Sequence, residues 1–233
     1  MAETEGVNDP DTAQADLRRV TELIELGRDR EAAELGDAQA SSVGDDRSRT
    51  RGEPMDVYSQ LDELGPLLAG VVGHIAPDQL DKPTNCAEFT VRGVLEHMIG
   101  GATAFTAAFR GTEADTPDTT DVLAGFAPAL MGLAGAIHEP GALDQTIQAP
   151  FGEVPGTTFA RFVVLDGLVH GFDLATATGQ AYAPSDALVG EVDAFAHEAL
   201  ASMRDGDTFA EPLEPAPTAT PIERLAAFTG RRV

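Results

Sequence analysis

The sequence predicts an all-α fold, a bundle of four long helices with an extra helix at the N-terminus and a short one at the C-terminus. Two observations carry that reading. From Met55 onward, apolar residues recur at spacings of three and four, the period of a helix with one buried face. The segments between them carry helix start and stop residues: Thr90, Pro184 and Pro221 at beginnings, Gly111 and Gly179 at ends. No internal repeat is visible, and one connection is longer than the rest, which fits an up-and-down bundle with a crossover.

Residues 1–55 differ from the remainder, so the chain divides into 1–55 and 56–233. Asp11 to about Ala38 reads as a charged helix with a narrow stripe of Leu17, Val20, Leu23, Ile24 and Leu26. The Ser-, Gly-, Asp- and Arg-rich stretch from Gln39 to Pro54 has almost nothing to bury and reads as a linker. The first bundle helix is expected over Asp56–Ile75, buried through Val57, Leu61, Leu64, Leu67, Leu68 and Val71, with a kink or break at Pro66. The second is expected from the N-cap Thr90 to Arg110, closed by Gly111, with Gly100 and Gly101 allowing close helix approach. A third covers about Thr119–His138. Leu143–Pro155 gives mixed signals, with loop or a short extended excursion around Ala149. A fourth helix runs from Thr157 to Thr178, a fifth from Pro184 to about Met203, and a last short one from Pro221 to Phe228 after a proline-rich loop.

Composition narrows the function classes. The 233 residues are 42% apolar, enough for a core, which must come from Leu, Val, Ala and Phe because tryptophan is absent. There are 39 acidic residues against 15 basic ones, and the net charge of −24 repels phosphate backbones and anionic lipid. Nucleic acid and membrane are therefore set aside as partners. The charge itself reads as a solubility device, or as the mark of a salty cytoplasm or an Arg-biased genome. A single cysteine, Cys86, excludes an internal disulfide framework or a Cys-rich zinc site, and with a non-apolar N-terminus points to the cytoplasm.

The chemistry concentrates on histidines. Asp166 and His170 are four residues apart, so on a helix they share a face one turn apart, with Asp173 almost one turn further on. Asp166 sits in an apolar run, Phe162 to Val169, where an unpaired charge is costly. His97 lies on the apolar stripe of another helix, among Val94, Leu95, Met98 and Ile99. If the two helices pack together, two imidazoles and one carboxylate converge, a three-ligand set that leaves a metal with an open position. Spacing alone also fits a His–Asp pair without metal, and His97 alone fits a satisfied core histidine. His74 and His138 read as helix-end residues, His197 as a surface one, and Cys86 as a small buried hydrophobe rather than a nucleophile. No Gly-rich phosphate loop, Cys-x-x-Cys or His-Glu-x-x-His occurs.

Three stretches carry a resemblance. Thr84-Asn-Cys-Ala-Glu-Phe-Thr-Val-Arg-Gly-Val-Leu-Glu-His97-Met-Ile-Gly-Gly, Leu165-Asp-Gly-Leu-Val-His170-Gly-Phe-Asp-Leu-Ala-Thr-Ala-Thr-Gly and Arg224-Leu-Ala-Ala-Phe-Thr-Gly-Arg-Arg resemble the actinobacterial DinB-like proteins related to mycothiol-dependent maleylpyruvate isomerase. The likeness covers about Asp56–Val233 and departs from the family at Asn85, Phe89, Gly93 and Phe172, where Pro, Trp, Asp and Trp are usual; the isomerase itself has Glu at the position of Asp166. It implies a DinB-like four-helix bundle holding a divalent metal, usually zinc, through His97, Asp166 and His170. It further implies a small thiol such as mycothiol as cosubstrate, used by a transferase or isomerase on a small electrophilic molecule. Asp173 would orient His170 or receive a thiol amine, and Arg92 and Arg161 are candidate anion clamps. A metal-dependent hydrolase and a non-catalytic binding module with the N-terminal helix as its handle are the alternatives. A homodimer is open.

Overall fold

The computed structural model describes residues 54–87, 89–149, 152–200 and 210–233. The expected N-terminal helix and the linker up to residue 53 lie outside the described residues, as does the expected end of the fifth bundle helix after Leu200. The described elements are six α-helices, one short 3₁₀ turn (Pro77–Gln79) and one small hairpin: α1 (Val57–Gly73), α2 (Val91–Arg110), α3 (Val122–Ile137), β1 (Thr146–Ala149), β2 (Gly152–Pro155), α4 (Gly156–Thr178), α5 (Asp186–Leu200) and α6 (Pro221–Phe228). Among the described residues, no helix is long and apolar enough to cross a membrane.

Local chemistry sets the helix ends. Asp56 caps α1 by accepting from Ser59 N at 2.8 Å. The helix then runs through Pro66 without the expected break. Pro66 and Asp62 are both exposed, so the carbonyl that the proline leaves unbonded faces water. Thr90 caps α2 by accepting from Gly93 N at 3.2 Å, and Gly111 closes it in the left-handed region at φ 63°. Helix α3 begins three residues later than expected. Asp118 first ties down Thr120 N at 3.0 Å, a local turn that competes with helix, and Asp121 then caps at Ala124 N, 3.1 Å. Thr220 and Glu223 form a reciprocal capping box on α6.

The stretch of mixed signals folds as an antiparallel hairpin, with Ile147 opposite Val154. Both side chains are 1% exposed and join Phe109, Ile137 and Phe159 in a cluster at one end of the bundle. The larger core joins all six helices, with Val122 and Phe126 the contribution of α3.

Helix α4 is not the amphipathic helix that the sequence suggested. It is buried almost without interruption from Val163 to Ala175 and packs against α1, α2, α5 and α6. A helix covered on nearly all sides loses its apolar stripe. Two glycines allow this. A Cβ on Gly167 would come within 2.9 Å of Leu64 Cδ2 on α1, and one on Gly171 would come within 2.9 Å of Leu68 Cδ2 and press on the buried Tyr182 hydroxyl. Gly65, on α1, has nothing within 4 Å of where a Cβ would stand. The two kinds of helical glycine should therefore respond oppositely to alanine. Gly171→Ala is expected to lower unfolding free energy by about 1–3 kcal/mol through overpacking, and Gly65→Ala to raise it by roughly 0.5–1 kcal/mol through helix propensity. Urea denaturation of the two variants beside the parent measures both.

Candidate metal centre

Helices α2 and α4 bring the expected residues together. His97, two turns into α2, and Asp166 and His170, one turn apart on α4, each offer a ligand atom, and these atoms lie within 4.8 Å of one another. Asp166 Oδ1 is 3.2 Å from His97 Nε2 and 3.5 Å from His170 Nε2. The two imidazoles stand edge to face with centroids 4.9 Å apart. Phe89, just before α2, lies against both rings, at 5.6 Å from His97 and 6.3 Å from His170.

The three residues differ in exposure in a useful way. His170 is buried, whereas His97 and Asp166 keep 42% and 40% of their side chains accessible, so the cluster is anchored inside and open on one side. Burial works against the charge on Asp166, but the neighbouring imidazoles of His170 and His97 and the guanidinium of Arg231 outweigh it and hold the carboxyl well below the usual carboxylate range.

Behind the cluster lies a second set of contacts. His170 Nδ1 donates to Asp173 Oδ2 at 3.1 Å, inside the protein. A carboxylate oxygen accepts, so this bond keeps a proton on Nδ1, and whenever the ring is neutral the lone pair belongs to Nε2, the nitrogen that faces Asp166 and His97. Asp173 has no solvent exposure, and its Oδ2 also accepts from Arg231 Nη2 at 3.3 Å and Nε at 3.4 Å. Arg231 is buried too, and its Nη1 donates to Thr229 O at 3.0 Å. Gly230 makes this possible. Its left-handed backbone, φ 87°, turns the chain back after α6 against Ala210.

Arg231 was missed by sequence reasoning, although it falls within the family-like ending, because nothing in a terminal Arg-Arg pair marks one member as buried. Arg161 lies on the α4–α5 side, with its guanidinium 4.2 Å over the Phe195 ring and 3.9 Å from Glu198 Oε2. Arg92 is half-buried five residues before His97, and its backbone N donates to Leu80 O at 2.9 Å. Neither arginine belongs to the donor cluster. The other histidines follow the helix-end and surface reading: the Nδ1 atoms of His74, His138 and His197 pair with carbonyls one turn back, and His197 stacks on Phe228 at 3.8 Å. Cys86 sits in the loop before α2, where its N–H donates to Thr84 Oγ1.

The donor set fits a divalent metal of the zinc type. Two imidazole nitrogens and one carboxylate oxygen converge, one ring is preset in the ligating tautomer by a carboxylate behind it, and one side is open.

Fold and cluster together define an all-α bundle with a His/Asp/His constellation between its second and fourth helices. Residues 61–149, from α1 to β1, match the family model of the mycothiol maleylpyruvate isomerase N-terminal domain. The chain is also similar to uncharacterized proteins of Mycobacterium tuberculosis, strains CDC 1551 / Oshkosh and ATCC 25618 / H37Rv, at 33% identity over 172 residues, which cover 71% of this chain and 92% of each relative. The chain belongs to the family of the mycothiol maleylpyruvate isomerase N-terminal domain. No solved structure matches it.

Two variants probe this centre. Elemental analysis of the full chain purified with zinc supplied should find stoichiometric metal, and His170→Ala should lose it. Arg231→Met leaves Asp173 buried without its cation, which should lower unfolding free energy by about 3 kcal/mol. It should also weaken zinc binding roughly 10–100-fold in competition with a chromophoric chelator, because the support of His170 is loosened.

Proposed function

We propose that this chain binds a divalent metal, zinc in the first instance, and carries out thiol-dependent transfer or isomerisation on a small electrophilic molecule, with mycothiol as the thiol. The observation that supports this most directly is the convergence of His97, Asp166 and His170, with Asp173 setting the tautomer of His170. The family adds a reason to choose a thiol, since the domain it is named for is that of a mycothiol-dependent isomerase.

In this reading His97, Asp166 and His170 hold the metal. A bound zinc ion supplies Lewis acidity, which deprotonates a coordinating thiol at neutral pH. The protein's own residues do the rest. Asp173 and Arg231 keep the His170 ring from rotating, and the burial of α4 keeps its backbone from adjusting. Phe89 packs its apolar ring beside both imidazoles, which limits water on that side. Asp166, held ionised, offsets metal charge and keeps the centre attractive to cations.

The same ligands would equally hold a hydrolase's metal, so the thiol is the point to test. Calorimetric titration of mycothiol into the zinc-loaded chain, in two buffers of different ionisation enthalpy, should show saturable binding with proton release. His170→Ala should abolish both. Absence of thiol binding combined with thiol-independent cleavage of an activated ester such as p-nitrophenyl acetate would replace this reading with the hydrolase. Absence of both would leave a binding module.

A further inference from the structure

Asp166 faces two places. Besides the cluster, it lines a cavity of about 60 Å³ enclosed by α1, α2, α3 and α4. The rest of the lining is apolar and includes Leu64 from α1, Met98 and Phe105 from α2, Leu130 and Leu133 from α3, and Val163 from α4. Gly65 and Gly101 lie among them, and with no side chains of their own they leave the space open. Asp166 is the one charged residue of this lining, and no lysine, arginine, histidine or amide side chain contributes to it.

We propose that this cavity seats a short uncharged alkyl group of the substrate, of about two or three carbons, and rejects a carboxylate-bearing one. The proposal rests on the reading of the neighbouring cluster as a reaction centre and names the class of molecule it serves. An anion placed here would lose its hydration with no donor to replace it, a cost of several kcal/mol. It would also lie beside a carboxylate, in a protein of net charge −24. An apolar group gains on every count, because each methylene buried is worth about 0.8 kcal/mol. Size sets the other limit. The cavity holds about four to six times the volume that one water requires, which suits a group of a few carbons and no larger chain. The electrophilic end of such a substrate then points along Asp166 to the cluster, and its apolar end lies between the helices. Arg92 and Arg161, the candidate anion clamps, do not line this space.

The test uses the full chain and two probes of equal chain length, propane and propionate, followed by methyl NMR. Propane should shift the methyl signals of Leu64, Met98, Leu130 and Leu133 saturably, and propionate should bind at least about tenfold more weakly. Gly65→Leu and, independently, Gly101→Leu fill the cavity from α1 and from α2. An added Cβ meets nothing within 4 Å at the first and makes only an ordinary 3.6 Å contact with Phe105 at the second, so both variants should fold. Each should weaken the propane response at least about fivefold. Absence of a saturable propane shift, propionate binding as tightly as propane, or an undiminished response in both folded variants would overturn the proposal. Titrations run with zinc and after chelation keep the two readings apart: failure of the metal centre appears as absence of zinc uptake, and failure of this inference as absence of propane binding.

Discussion

A carboxylate shut away from solvent in the middle of α4 constrains the rest of this structure. Asp173 has no exposure, and a buried charge is tolerated only when partners surround it. Its partners come from two directions. His170 donates from one turn back on the same helix, and Arg231 reaches in from the segment after α6. The arrangement is more than a buried ion pair, because its output is the orientation of one imidazole. With Nδ1 committed to Asp173, the opposite nitrogen of His170 is aimed at Asp166 and His97. The chain's last residues thus take part in shaping a cluster built from helices far earlier in sequence. Asp173 Oδ1 has no hydrogen-bond partner among the described residues, so the pairing is asymmetric, with Oδ2 carrying the contacts.

The burial of α4 serves the same end. A functional side chain holds its geometry when the backbone beneath it cannot shift. Gly167 and Gly171 let α1 and Tyr182 close on the helix, and α5 and α6 cover other faces. Glu63 on α1 adds a polar tie by accepting from Ser185 N and Oγ at 2.8 and 2.9 Å, just before α5. The result is a rigid helix carrying Asp166 and His170, set beside the more exposed His97 of α2. The cluster is thus anchored in the core through His170 and open to solvent through His97 and Asp166.

Much of this was legible in the sequence, and the reasons are local. Helix α2 begins after Thr90 and ends before Gly111, as the cap residues indicated, and α6 spans Pro221–Phe228 because its capping box is complete within four residues. The pairing of Asp166 with His170 follows from helical spacing alone. Other features depend on contacts between distant parts of the chain. The hairpin has strands of four residues, too short for alternation to declare itself, and is fixed by Ile147 and Val154 entering a cluster built mostly from helices. The approach of His97 to Asp166 spans 69 residues, so periodicity could place each on a face but not the faces on each other. Arg231 is buried because Gly230 reverses the chain and a carboxylate awaits it, and neither fact is written in its neighbours. Pro66 shows the reverse case, where a strong local signal for a break was overridden by solvent at the exposed face of α1.

The central claim is that residues from α2 and α4 form one metal-binding centre. Anomalous diffraction at the zinc edge, from crystals of the full chain grown with zinc, tests it most directly. The account predicts a single strong peak bonded to His97 Nε2, Asp166 Oδ1 and His170 Nε2 at about 2.0–2.2 Å, with Asp173 still bonded to His170 Nδ1. A zinc-bound crystal in which the metal sits elsewhere, or in which the two imidazoles stay in van der Waals contact with no density between them, would contradict it.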